Sequence, residues 1–193
     1  MSELVEIRWH ARGGQGAVTA SKLLAESALL EDKYVQAFPE YGAERTGAPI
    51  QSFTRLSDRP IDIHSQVTKP DIVLVLDETL IGAVDVTAGL KEGGKIIVNT
   101  EEDAEVIKDE LGAAEDQPVY TVNANKISRE EIGKVIPNTP MIGALIKATS
   151  VVNVDKVIDT IEEEFGKKFA PAVLEGNIKA VKRAYDEVKS TAN

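Results

Sequence analysis

The chain opens in alternation. Over residues 4–9, Leu4, Glu6 and Arg8 alternate with Val5, Ile7 and Trp9, a period of two that predicts a β-strand. A loop, Ala11-Arg12-Gly13-Gly14-Gln15-Gly16, follows, and residues 17–30, rich in Ala and Leu, predict a helix. Residues 33–38 predict a second strand stopped by Pro39, and residues 40–49 an irregular loop. Residues 50–56 and 61–63 predict a hairpin across Ser57-Asp58-Arg59-Pro60.

Beyond residue 70 the pattern changes to short, continuous apolar runs at 72–76, 95–98 and 119–122, as expected of strands covered on both faces. The stretches between them, 79–90 and 102–111, read as crossover helices, which implies parallel pairing with right-handed connections. Pro137-Asn138-Thr139-Pro140 is a helix start, with Thr139 as cap and Pro140 at the first helical position. Three apolar faces follow: Met141, Ile142, Leu145 and Ile146; then Val154, Val157, Ile158, Ile161 and Phe165; then Leu174, Ile178, Val181, Tyr185 and Val188. The expected fold is α/β, a mostly parallel, Rossmann-like, three-layer sheet with a hairpin insertion and a helical C-terminus. Residues 1–193 are expected to form a single domain.

Composition narrows the chemistry. With no cysteine, the chain offers no disulfide, no thiol nucleophile, no thiolate zinc site and no cysteine-ligated iron–sulfur cluster. Its two histidines, His10 and His64, cannot form a His-rich metal centre; a carboxylate magnesium site stays open. The apolar runs fall far short of the roughly 20 residues of a membrane span, and the first ten residues lack the pattern of a signal peptide, so a cytoplasmic location is expected. A net charge of −10 disfavours nucleic acid as a partner. The charge is uneven: residues 1–60 hold eight acids and seven bases, whereas 101–116 hold eight acids and one base. An anionic ligand therefore belongs with the first third, and the acidic run reads equally as a solvated helix face.

The sharpest candidate site is Arg12-Gly13-Gly14-Gln15-Gly16, between a predicted strand and a predicted helix. Glycines let a ligand approach the backbone, free N–H groups at a helix start attract phosphate, and Arg12 adds a fixed charge. The spacing is not G-x-G-x-x-G, and no acid ends the second strand to bind a ribose, so the pattern points to a phosphorylated or anionic ligand more than to NAD. A tight turn requiring small residues is the plain alternative. In the next loop Arg45-Thr46-Gly47 groups a guanidinium, a hydroxyl and a glycine amide, suited to phosphate or carboxylate or simply a surface loop balanced by Glu44. Loops after strands one and two share a sheet edge, so both can serve one ligand. Asp77, Asn99 and Asn123 end three successive strands, where ligands of open sheets sit and where caps also belong. No nucleophile–base–orienter set is visible, so any hard chemistry comes from a cofactor or another chain.

Three blocks carry a resemblance. Glu6-Ile7-Arg8-Trp9-His10 with Arg12-Gly13-Gly14-Gln15-Gly16-Ala17, then residues 36–49 with Glu40-Tyr41-Gly42-Ala43-Glu44-Arg45-Thr46-Gly47-Ala48-Pro49, then Ile136-Pro137-Asn138-Thr139-Pro140-Met141-Ile142-Gly143-Ala144-Leu145 resemble the gamma subunits of the 2-oxoacid:acceptor oxidoreductase family, its pyruvate:ferredoxin (pyruvate synthase) branch more than the 2-oxoglutarate branch. Ala11, where the family more often has glycine, is a departure. The resemblance implies a multisubunit enzyme that turns a 2-oxoacid and coenzyme A into acyl-CoA and CO2 and reduces ferredoxin. It implies thiamine diphosphate, magnesium and 4Fe–4S clusters held by alpha, beta and delta partner subunits, with no catalytic residue or metal ligand in this chain. The gamma part is implied to pack on the catalytic subunits and help bind coenzyme A, with Gly13, Gly14, Gln15, Gly16, Arg45, Thr46, Asn138 and Thr139 as the implied contacts. The alternative is a free-standing flavin- or nicotinamide-binding regulatory module.

Overall fold

The computed structural model describes residues 4–40 and 47–192. β1 (Leu4–Arg12) runs through the Gly-rich turn into α1 (Ala17–Leu29), and β2 (Tyr34–Pro39) and β3 (Pro49–Ser57) follow. β4 (Ile72–Val75) leads through a single 3-10 turn, Glu78–Leu80, and a long irregular stretch to β5 (Lys95–Asn99). Then come α2 (Ala104–Leu111), β6 (Val119–Val122), α3 (Ala124–Ile132), α4 (Asn138–Thr149), α5 (Val154–Gly166), α6 (Pro171–Glu187) and the short β7 (Lys189–Ser190).

The strands form one sheet in the order β2-β3-β1-β4-β5-β6-β7. β1, β4, β5 and β6 pair in parallel, while β3 is antiparallel to both β1 and β2, and β7 is antiparallel to β6. All strands except β3 and β7 therefore point the same way, as expected of a mostly parallel sheet. α1 and α3 to α6 supply the residues that pack with Ile7, Trp9, Ala11, Leu74 and Ile97 on one face. Small residues let α1 lie close: Ala17, Ala20 and Ala28 are buried against the sheet, and Ser21 shares a 2.7 Å hydrogen bond with Ser52. On the other face, α2 and the irregular stretch cover Val73, Val75, Ile96 and Val98.

That second face turns polar over β1 and β3. Arg8 and Arg55 are buried there. Arg55 donates to Glu6 at 2.9 Å, to Gln36 at 3.2 Å and to the Ile63 carbonyl at 3.4 Å. Arg8 donates to the carbonyls of Val86 and Ala88, at 3.0 and 2.7 Å. Buried guanidinium groups need such partners, and irregular backbone provides the carbonyls that a helix keeps for itself.

Two expectations fail for this reason. Residues 61–63 form no hairpin strand: β3 already has β2 and β1 on its two edges, so no edge remains for a third partner. The 61–63 segment instead lies across the polar face, where the Ile61 carbonyl accepts from Gln36. The hairpin near this position is β2–β3. Residues 79–90 form no crossover helix beyond the 3-10 turn, because Arg8 takes two of the carbonyls that a helix would use. Gly89 there has φ +70°, and a Cβ on it would lie 2.2 Å from the Thr68 carbonyl oxygen. Two boundaries also move. α3 forms where no helix was expected, and α4 begins at Asn138 after Pro137, so Thr139 lies inside the helix rather than capping it. Among the described residues no helix is long and apolar enough to cross a membrane.

Candidate functional site

β1 delivers Gly13 to Gly16 to the carboxyl edge of the sheet, and the turn is hydrogen-bonded to the end of the β2–β3 connection. Gly13 N–H donates to the Ala48 carbonyl at 2.9 Å, and Gly47 N–H donates to the Gly13 carbonyl at 3.1 Å. The loops after the first two strands thus meet at one edge, although β3 lies between their strands. Arg45 and Thr46 lie outside the described residues, immediately before Gly47.

Within the turn, Gly14 and Gly16 have φ of +100° and +80°, left-handed values that favour glycine. A Cβ on Gly16 would lie 2.7 Å from the Asn138 amide nitrogen, so only glycine lets the start of α4 approach this closely. Gly16 is the N-cap of α1 and supplies no side-chain cap. Among the described residues the backbone N–H groups of Gly14, Gly16, Ala17, Val18 and Thr19 have no hydrogen-bond partner. Asn138, 8% exposed, accepts from Thr139 N–H at 2.8 Å, and its amide nitrogen has no partner among the described residues. Unpartnered helix-start donors and the Asn138 amide therefore lie near Gly16, an arrangement that suits an anionic oxygen.

Other candidates face elsewhere. Thr139 is fully buried and donates to Asn177 at 2.8 Å, which joins α4 to α6. Gln15 does not point freely into solvent: its carbonyl oxygen accepts from Arg12 N–H at 2.8 Å, and its amide nitrogen donates to Asp77 at 2.6 Å. Arg12 donates to the Thr79 hydroxyl and carbonyl at 3.0 and 3.3 Å and to the Gly47 carbonyl at 3.1 Å. Asp77 also accepts from Thr79 N–H at 3.0 Å. Burial opposes its ionisation, but the bonds from Thr79 and Gln15 and the Arg12 charge together hold its carboxyl below the ordinary range. Thr79 is the site-edge residue that sequence reasoning missed; its signal is a Thr two residues after Asp77, which was singled out at its strand end.

Asn99 and Asn123 also end strands, and both act as structural amides. Asn99 donates to the Leu76 carbonyl at 2.8 Å and accepts from Asn125 N–H at 3.3 Å, and Asn123 caps α3 by accepting from Lys126 N–H at 2.9 Å. A polar cleft of about 350 Å³ opens beside them, bordered by Glu78, Thr100, Lys126 and Arg129. A more apolar hollow of about 410 Å³, bordered by Val5, Leu56, Ile72 and Val151, lies at the opposite, amino edge of the parallel strands. His10 is buried and accepts from Arg8 Nε at 3.0 Å; burial first, then the Arg8 charge, hold its pKa down at about 3, so it stays neutral and structural. Among the described residues no group of three His, Asp or Glu side chains is placed to hold a metal ion.

Comparison with known proteins fits this geometry to a family. The family model described as pyruvate ferredoxin/flavodoxin oxidoreductase matches residues 6–187. Pyruvate synthase subunit PorC of Thermotoga maritima is 48% identical over 184 residues, covering 95% of this chain and 94% of the relative. The pyruvate/ketoisovalerate oxidoreductases common subunit gamma of Thermococcus litoralis is 50% identical over 182 residues, covering 92% of this chain and 98% of the relative. The crystal structure of a pyruvate oxidoreductase PorC subunit from Thermotoga maritima superposes with a TM-score of 0.86 at 43% identity, over 98% of this chain and 99% of that one. A Magnetococcus marinus 2-oxoglutarate:ferredoxin oxidoreductase, determined with 2-oxoglutarate, coenzyme A and succinyl-CoA bound, contains the same fold (TM-score 0.77, 17% identity) over 96% of this chain and 31% of its own length. The chain belongs to the pyruvate ferredoxin/flavodoxin oxidoreductase family, as a gamma-type subunit.

Proposed function

We propose that this subunit receives coenzyme A in a cytoplasmic 2-oxoacid:ferredoxin oxidoreductase whose first substrate is pyruvate, and that the turn at Gly13 to Gly16 takes an anionic group of that ligand. The observation that carries the reading is the set of N–H groups at the start of α1 that have no partner among the described residues, with the Asn138 amide beside Gly16. Arg45 and Thr46 would complete the site from the adjoining loop, whose Gly47 is bonded to Gly13. Decarboxylation on thiamine diphosphate, with its magnesium, and electron transfer through 4Fe–4S clusters to ferredoxin would belong to the alpha, beta and delta partners. The donor set of this chain agrees with that division, since it has no cysteine. β3 lies between β1 and β2, so the end of β2 is not beside the Gly-rich turn as in a dinucleotide-binding sheet, which weighs against a free-standing nicotinamide module.

Arg45→Ala in the assembled complex tests the assignment. Loss of a charge-assisted hydrogen bond of about 1.5–3 kcal/mol raises the KM for coenzyme A about tenfold to a hundredfold. Oxoacid decarboxylation without coenzyme A precedes acyl transfer and stays close to wild type. An unchanged KM, or an equal loss in both steps with assembly intact, rejects the role of Arg45.

A further inference from the structure

β1 and β4 are adjacent parallel strands from which the chain departs in opposite directions. After β1 it turns back through α1 toward β2, and after β4 it moves on to β5. In open α/β sheets the crevice at such a switch point is the place where ligands insert. Here that crevice is bridged from side to side. Asp77, just past β4, accepts from the Gln15 amide at 2.6 Å and lies 3.6 Å from Arg12 Nε. Arg12 reaches on to Thr79 and to the Gly47 carbonyl.

Gln15 sits between two glycines with left-handed φ, so the backbone of the turn has little conformational preference of its own. Backbone bonds tie Gly13 to Ala48 and Gly47 and tie Gln15 N–H to the Arg12 carbonyl, and a side-chain clip adds to them. Gln15 closes on Arg12 N–H from within the turn, and Asp77 anchors the other end of the same amide from outside. Without that anchor the Gln15 amide keeps only its bond to Arg12 N–H, and Arg12 loses its neighbouring negative charge. The bridge occupies the β1–β4 side of the turn, while Gly16 lies against Asn138 at the start of α4.

We propose that Asp77 is a positioning residue: it latches Gln15 and Arg12 across the β1–β4 crevice and so sets the conformation in which the Gly13 to Gly16 turn presents its N–H groups. This rests on the reading that the turn binds an anionic group of coenzyme A. Asp77 does not touch the ligand; it acts through Gln15.

A double-mutant cycle in the assembled complex tests it, with coenzyme A as the probe. Asp77→Ala and Gln15→Ala each raise the KM for coenzyme A roughly tenfold, and the double variant stays near tenfold rather than a hundredfold, because both remove one latch. Decarboxylation without coenzyme A changes by less than about twofold. Gly16→Ala in parallel reads the turn directly. If Gly16→Ala raises the KM and Asp77→Ala leaves it unchanged, the latch is rejected while the binding site stands. A multiplicative double variant likewise rejects action through Gln15. If neither Gly16→Ala nor Asp77→Ala moves the KM, the binding reading falls and the latch with it. Should the Asp77→Ala complex fail to assemble, Asp77→Asn decides: its amide keeps the shape but cannot accept from Thr79 and Gln15 at once, and a several-fold rise in KM is expected against no change if the latch is absent.

Discussion

The carboxyl ends of β1 and of β5 and β6 lie along one edge of the same sheet, yet they use their polar groups differently. At β5 and β6 Asn99 and Asn123 are committed to backbone partners: Asn99 ties β4 to the start of α3, and Asn123 caps that helix. At β1 the side chains that touch the turn clip it from one side, and the N–H groups of Gly14 and Gly16 together with the Asn138 amide have no partners among the described residues. A helix start whose orphan donors are capped is finished as structure, whereas one whose donors stay open at a solvent-reached turn can exchange water for a bound anion. A strand-end Asp or Asn is therefore a poor locator of a ligand. A missing cap alone is no better, since α2, α4 and α6 also lack a side-chain cap; what marks α1 is an uncapped start that follows a Gly-rich turn and lies against Asn138.

Gly16→Ala breaks the comparison most severely. It forces a Cβ to within 2.7 Å of the Asn138 amide at a φ of +80°. Strain of about 1–3 kcal/mol is expected, and the KM for coenzyme A should rise at least tenfold in the assembled complex. Thermal unfolding of the full chain and steady-state kinetics of the complex measure the two effects. A variant that retains wild-type KM would show that the close approach of α4 serves packing alone.

His10 sharpens the comparison from the other face of β1. Its folded pKa of about 3 lies below the ordinary value of 6.5, with burial as the main cause. Between those values the unfolded chain binds a proton that the folded chain refuses. Stability therefore falls as the pH drops through this window, by up to about 1.4 kcal/mol per pH unit for one group. Denaturant unfolding of wild type and His10→Gln at a series of pH values should show a flatter dependence in the variant between about pH 4.5 and 6.5. Parallel curves would remove His10 as the source.

Asn123→Ala is the mildest change. Loss of the α3 cap costs about 1 kcal/mol in the unfolding of the chain, while coenzyme A kinetics stay at wild-type values. A rise in KM equal to that of a turn variant would move the ligand to the cleft beside β5 and β6.

The apolar half of this molecule was legible because it obeys simple periods. Residues 72–76, 95–98 and 119–122 read as buried strands and are β4, β5 and β6 with shifts of a residue at most, and residues 17–30 read as α1. The polar face of β1 and β3 was not legible, since Arg8 and Arg55 look like surface charges in a linear pattern and are buried in the fold. Misplacing them misplaced what they bind, hence the expected hairpin strand at 61–63 and the expected helix at 79–90. α3 escaped notice because Asn123-Ala124-Asn125-Lys126 carries no apolar stripe at its start. At the candidate site, the meeting of the Gly-rich turn with the following loop followed from strand-end geometry, whereas Asn138 was indicated by the resemblance and by its place at a helix start. The fates of Gln15 and Thr139 did not, because a side chain's partner from a distant element, Asp77 or Asn177, leaves no trace in local spacing.

The central claim is that the open donors at the end of β1 receive coenzyme A and the capped ends of β5 and β6 do not. Titration calorimetry of coenzyme A into three assembled complexes, wild type, Gly16→Ala and Asn123→Ala, tests it most directly. The account predicts binding weakened at least tenfold in the Gly16→Ala complex and unchanged in the Asn123→Ala complex. Wild-type affinity in the first, or a comparable loss in the second, contradicts it.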